Sequence, residues 1–215
     1  MKIFLDTADP AAVRRAQATG LLDGVTTNPS LLAKQGGKWL ELVSEICNLT
    51  TGPVSVEVMS EYTEELVTEA IKLAARATNI VVKLPMTEAG CTAARILEKE
   101  HRVRVNVTMV FSATQAMLAM KTGASFVSIV LSRLDAAGME SDSLIRDAVT
   151  LKQHYGFRSE LIAGSVKTQN HVLSCLRAGL DVVTVPEFLW GQMFQHPLTD
   201  AGLAQFAHDW RQVVA

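Results

Sequence analysis

The sequence predicts an α/β chain folded as a closed (β/α)8 (TIM) barrel with an extra C-terminal helix. Three observations carry that expectation. Eight short β-rich runs alternate with helical stretches from one end of the chain to the other. Strands separated by helices must pair in parallel, because each return to the same sheet edge needs a crossover. The turn after the first run, Asp6-Thr7-Ala8-Asp9, lacks the glycines of a doubly wound nucleotide-binding sheet, which leaves that open sheet as the runner-up. Eight units in 215 residues give about 27 residues each, a short version of the typical barrel of about 250 residues.

In chain order the β-rich runs are 3–6, 24–28, 54–59, 80–84, 104–110, 126–131, 161–166 and 182–185. Between them, 63–77, 89–100, 113–122, 144–154 and 170–178 carry apolar residues at three- and four-residue spacing, as in Ile71, Ala74 and Ala75. Gly20, Gly123 and Gly179 sit just past helical stretches, where a residue of positive φ ends a helix. The stretch 200–213 reads as the added helix, with Phe206 and Trp210 four apart on one face. That face must be buried on its own barrel or on a neighbouring subunit, and the sequence leaves both open. No linker or shift of composition divides the chain, so residues 1–215 read as one domain.

Composition narrows the function classes. The chain is 48% hydrophobic and 20% charged, with formal net charge −2. A broad nucleic-acid or anionic-membrane surface is markedly basic, so no nucleic acid and no membrane partner is expected. No run is apolar and long enough for a signal peptide or a membrane span. Cys47, Cys91 and Cys175 are odd in number and far apart, which suits buried thiols in a reducing cytoplasm. His101, His154, His171, His196 and His208 lack ligand spacing and read as surface or packing residues, so no metal is expected.

Catalytic groups of such a barrel project from the carboxyl ends of its strands, and residues two apart share a face. Asp6 closes strand 1; Thr26 and Asn28 share a face of strand 2, and Ser55 and Glu57 of strand 3. Lys83 lies near the end of strand 4, Asn106 and Thr108 share a face of strand 5, and Ser128 and Val130 of strand 6. Lys83 is the sharpest candidate, a charge among β-branched residues that needs a partner or a purpose. It reads either as a snorkelling lysine or as an amine that desolvation and a nearby cation keep neutral for attack on a carbonyl. Asp6 and Glu57 would then supply general acid/base groups. Arg133, Ser165 and Lys167 form a second cluster, where Ser165 and Lys167 share parity and two cations suit an anion. The plainer alternative pairs Arg133 locally with Asp135.

At these residues the chain resembles the transaldolase family, in its short bacterial branch, which also holds the fructose 6-phosphate aldolases. The resemblance runs through Phe4-Leu5-Asp6-Thr7-Ala8-Asp9, Gly24-Val25-Thr26-Thr27-Asn28-Pro29-Ser30, Val81-Val82-Lys83-Leu84-Pro85, Val105-Asn106-Val107-Thr108 and Pro197-Leu198-Thr199-Asp200. It implies that Lys83 forms a Schiff base with a ketose C2 carbonyl and that Asp6 is the acid/base at the C4 hydroxyl. It implies that Glu57, through a water held by Thr108, moves protons during imine formation. Asn28 and Asn106 would hold hydroxyls of the dihydroxyacetone unit, with Thr26 and Ser128 beside them. Arg133, Ser165 and Lys167 match phosphate-binding positions, with lysine at 167 where longer transaldolases carry arginine. No cofactor is implied; the partners are sugar phosphates or similar anionic sugars, and a homo-oligomer, pentamer or decamer.

Glu57 and Asn106 follow the transaldolase pattern rather than the aldolase one, which favours transfer over release of free dihydroxyacetone. One segment departs from the family: Val130, in Ser128-Ile129-Val130-Leu131-Ser132-Arg133, stands where an aromatic is usual. That widens the pocket and leaves room for another anionic donor, such as a sulfonated ketose. A non-catalytic sugar-phosphate-binding barrel is the remaining alternative.

Overall fold

Eight parallel strands close into a barrel, each paired with the next and the last with the first, in the computed structural model, which describes residues 1–214. They are β1 (Lys2–Asp6), β2 (Gly24–Thr26), β3 (Val54–Glu57), β4 (Ile80–Pro85), β5 (Val105–Val110), β6 (Phe126–Val130), β7 (Glu160–Gly164) and β8 (Val182–Pro186). Every expected run holds a strand. Those at 24–28, 54–59 and 161–166 stop two residues early, because the chain leaves the sheet there for the mouth of the barrel.

The helices pack outside: α1 (Pro10–Gln17), α2 (Pro29–Gln35), α3 (Trp39–Leu49), α4 (Thr63–Ala74), α5 (Glu88–Ile96, continuing as a π-turn), α6 (Ala113–Lys121), α7 (Leu131–Ala136), α8 (Ser141–Tyr155), α9 (Gln169–Ala178), α10 (Glu187–Gln192) and α11 (Pro197–Val213). Side-chain oxygens of Asp9, Asn28, Thr87, Ser112 and Thr168 accept from the first free N–H groups of α1, α2, α5, α6 and α9. Gly20, Gly123 and Gly179 take the expected positive φ of 71°, 87° and 76°.

The added helix begins at residue 197 rather than 200. Pro197 occupies its first turn, where no N–H is needed, and His196 Nδ1 accepts from the Leu198 N–H. No residue of α11 is buried, and Leu203, Phe206, Trp210 and Val213 line one exposed stripe. The apolar face is therefore not covered by its own barrel.

The main core lies between strands and helices; a smaller cluster of Phe4, Val81, Phe126, Ile162 and Val182 fills the barrel itself. Phe4 and Phe126 meet edge to face with ring centroids 6.1 Å apart. Gly24 allows this: a Cβ there would stand 2.8 Å from the Phe4 ring and 2.7 Å from the Pro53 carbonyl oxygen. These five side chains form an apolar floor, and the next inward residue on several strands is polar.

Candidate active site

Two residues above the floor, strand register sets Asp6 beside Thr26, Thr26 beside Ser55, Glu57 beside Lys83 and Lys83 beside Asn106. Lys83 is buried, and its Nζ donates to the Thr27 carbonyl at 3.0 Å and stands 3.4 Å from Glu57 Oε2. The buried charge thus has a carboxylate partner. A backbone carbonyl aims the nitrogen, and a carboxylate is placed to take the proton that an ammonium must lose before it attacks a carbonyl.

On the far side of Lys83, Ser128 Oγ donates to Asn106 Oδ1 at 2.8 Å, and Asn106 Nδ2 donates to Ser55 Oγ at 3.3 Å. This chain spans three strands inside the barrel and fixes the orientation of a fully buried carboxamide. One Nδ2 hydrogen remains to meet a ligand hydroxyl.

Asp6 takes the opposite side. Thr26 Oγ1 donates to Asp6 Oδ1 at 2.9 Å and lies 2.6 Å from Thr184 Oγ1. Burial pushes the Asp6 carboxyl above its usual range, against the Thr26 hydrogen bond and the charges of Lys83 and Lys167. A carboxyl raised in this way suits a group that must take a proton and return it.

The rim is built differently. Asn28 lies beyond β2, and its Oδ1 accepts from Leu31 N–H at 3.0 Å, which leaves its NH2 and one oxygen lone pair free of the cap. Thr108 is buried on β5 just before a bulge at which Met109 adopts φ 64°. Arg133, on α7, donates from Nη1 to Met109 Sδ at 3.6 Å and makes no ion pair among the described residues. Asp135 Oδ2 instead lies 2.9 Å from His171 Nε2, so the alternative in which Arg133 pairs locally with Asp135 does not hold. Ser165 follows the end of β7 with φ 55°, which breaks the alternation on which its shared parity with Lys167 rested. Their common address is the loop, not a strand face. Lys167 is exposed, yet its charge reaches Asp6. Val130 ends β6 above Ser128 and is buried. The aromatic surface near Glu57 comes instead from Trp39, which with Leu32 and Met59 walls a recess of about 480 Å³.

The residues that strand parity marked are thus brought together as one polar layer of Asp6, Thr26, Ser55, Glu57, Lys83, Asn106 and Ser128. Arg133, Ser165, Lys167 and Asn28 stand around its mouth. Sequence reasoning missed Thr184, the Thr27 carbonyl and the His171–Asp135 contact. Thr184 was accessible to the same parity rule, being two residues beyond the floor residue Val182. Among the described residues, no group of three or more His, Cys, Asp or Glu could hold a metal, and no helix is long and apolar enough to cross a membrane.

A family model described as Transaldolase/Fructose-6-phosphate aldolase matches residues 3–215. The chain belongs to that family. A probable transaldolase of Caulobacter sp. (strain K31) is 46% identical over 210 residues, covering 98% of this chain and 96% of that protein. A probable transaldolase of Methanococcus maripaludis is also 46% identical, with 98% and 97% covered. One from Clostridium tetani is 44% identical over 213 residues, with 99% of both covered. Among solved structures, a thiamine phosphate pyrophosphorylase from Pyrococcus furiosus superposes with TM-score 0.61 at 15% identity, covering 86% of this chain and 85% of that one. At that identity the likeness concerns the barrel alone. In this member of the transaldolase/fructose-6-phosphate aldolase family, Lys83 is the one buried lysine among the described residues.

Proposed function

We propose that this family member is a Schiff-base transaldolase that moves a dihydroxyacetone unit from a ketose phosphate to an aldose phosphate. Fructose 6-phosphate and sedoheptulose 7-phosphate are the donors the resemblance suggests. The observation that carries the reading is Lys83, buried over an apolar floor with Glu57 at 3.4 Å and Asp6 in the same polar layer.

In this reading the Lys83 amine, its proton passed to Glu57, attacks the ketose C2 and the carbonyl electrons move to oxygen. Glu57, through a water held by Thr108, protonates that oxygen, then carries one proton from the nitrogen to the resulting hydroxyl, and water leaves, giving an iminium. Asp6 takes the C4 hydroxyl proton, the C3–C4 bond breaks, and its electron pair moves into an enamine as an aldose leaves. C3 then attacks the acceptor aldehyde, whose oxygen takes the proton from Asp6, and water releases the new ketose. Asn106, Asn28 and Ser128 hold hydroxyls, and Arg133, Ser165 and Lys167 hold the anionic end. The iminium nitrogen is itself the electron sink, so activity is expected to survive a chelator.

The test is borohydride reduction with fructose 6-phosphate. A secondary-amine adduct at Lys83, absent from Lys83→Ala, is the expected result; no adduct, or one that survives the substitution, sinks the proposal. Turnover at full rate without an acceptor would assign the aldolase instead, and ligand binding without turnover the non-catalytic barrel. Val130 favours a second donor class, since a small side chain above Ser128 leaves more room than an aromatic. A comparison of phosphorylated with sulfonated ketoses decides that point. The reading includes cytoplasmic residence and a homo-oligomer, supported by three free cysteines and by the uncovered apolar stripe of α11.

A further inference from the structure

The two segments that carry the expected anion ligands are joined by one imidazole. His171 stands in the first turn of α9, where Thr168 Oγ1 accepts its backbone N–H at 3.2 Å. Its Nδ1 accepts the Lys167 backbone N–H at 3.2 Å. Its Nε2 lies 2.9 Å from Asp135 Oδ2, while Asp135 Oδ1 accepts the Ser141 N–H at 3.2 Å. These contacts define the tautomer: Nδ1 is occupied as an acceptor, so the ring proton is on Nε2. The His171 side chain is 15% exposed, while Asp135 and Lys167 at its two ends face solvent. A second tie lies nearby, with Ser132 and Ser165 hydroxyls 2.6 Å apart.

From this geometry we propose that His171 is a positioning residue: it ties the Lys167 loop to α7 and so sets the span between Lys167 and Arg133 for a substrate's anionic group. The inference rests on the reading of Arg133, Ser165 and Lys167 as the anion site. Lys167 lies two residues beyond the positive φ of Ser165 and sits on a loop without strand pairing. Its ammonium keeps a fixed place only if its backbone is held, and His171 Nδ1 is the acceptor that holds it. On the other side, Asp135 belongs to the same short helix as Arg133. One ring therefore couples the two cations without touching the substrate.

A helix-capping role alone would cost stability and lower turnover of every donor alike, whereas a positioning role discriminates by charge on the donor. The experiment measures kcat and KM for fructose 6-phosphate and for fructose, with unphosphorylated glyceraldehyde as the common acceptor. In His171→Ala, KM for fructose 6-phosphate is expected to rise roughly three- to tenfold, about the loss of one hydrogen bond, with fructose kinetics and phosphorylated-donor kcat little changed. His171→Asn keeps an acceptor near Nδ1 and His171→Gln a donor near Nε2; each is expected to recover part of the loss, and both serve where the alanine variant fails to fold. Equal losses for the two donors, or an unchanged KM for fructose 6-phosphate, overturn the proposal. Arg133→Ala and Lys167→Ala separate the positioning role from the anion site itself. If they abolish the preference for the phosphorylated donor and His171 variants do not, only the positioning role fails. If they too leave it intact, the anion-site reading fails.

Discussion

Replacing Thr26 with valine removes one hydroxyl and little else, and it addresses a carboxyl that burial has shifted. Thr26 donates to Asp6 Oδ1 at 2.9 Å and receives support from Thr184 at 2.6 Å. Burial raises the Asp6 carboxyl, and the Thr26 bond is the leading influence holding the carboxylate form in place. A hydrogen bond to a charged acceptor is worth about 1.5–3 kcal/mol, and 1.36 kcal/mol is a factor of ten in an ionisation equilibrium. Without it, the ionised fraction of Asp6 at acidic pH falls roughly 10- to 150-fold.

The sign follows from the proposed role of Asp6 as base in cleavage. Loss of the bond disfavours the carboxylate, so the base form appears only at higher pH. The pH profile of kcat/KM for Thr26→Val should therefore keep its neutral plateau and lose activity on the acidic limb by that factor. Thr26→Ser retains the donor and should overlay the parent. Thr184→Val leaves the donor in place and should shift the limb less, since it removes only the polarising neighbour. An acidic limb unchanged in Thr26→Val refutes the coupling of the two side chains. A plateau lowered with the limb unmoved refutes it too, and assigns Thr26 to direct contact with substrate.

Three further outcomes are expected. Because burial raises the Asp6 carboxyl, the unfolded chain ionises first as pH rises; the folded state loses stability through that window and carries the full penalty above it. Asp6→Asn should accordingly be inactive yet melt higher than the parent near neutral pH, with the gain vanishing as pH falls to the usual carboxylate range; a pH-independent difference in Tm counts against this. Gly24→Ala places a Cβ 2.7 Å from a backbone oxygen and 2.8 Å from the Phe4 ring. It should cost about 1–3 kcal/mol in urea unfolding, and an unchanged midpoint would show that the floor yields freely. Trp210→Glu puts a charge on the exposed stripe of α11 and should reduce the size of the proposed homo-oligomer by light scattering while leaving the barrel's circular dichroism intact.

Period-two alternation was enough to find the polar layer because those side chains ride on paired strands. Asp6, Thr26, Glu57, Lys83, Asn106 and Ser128 all lie within ladder pairs of neighbouring strands, and pairing fixes which face each presents. The same rule covers Thr184, but a single threonine among valines also serves β-propensity, so its contact with Thr26 left no separate mark. Outside the ladders the rule loses its basis. Asn28 spends its oxygen on a helix cap, Met109 turns at a bulge, and Ser165 enters the left-handed region, so spacing in the sequence no longer reports direction. The His171–Asp135 contact joins two helices that no local pattern relates.

That division has a physical cause with a consequence for function. The proposed chemistry at C2 and C4 needs groups fixed relative to one another, and a closed sheet provides this with strand register alone. On the proposed reading the anionic end of a substrate lies farther out, where the chain has left the sheet and only side-chain ties can hold a cation in place. Variation at the rim, such as Val130 or the lysine at 167, can therefore change which donor is held while Lys83, Glu57 and Asp6 keep their spacing. Changes in the layer itself should behave oppositely: Asn106→Ala breaks the bonds to both Ser128 and Ser55. It is expected to lower kcat for phosphorylated and unphosphorylated donors by a similar factor, of order ten or more. A loss confined to the phosphorylated donor would place Asn106 with the rim and dissolve the distinction.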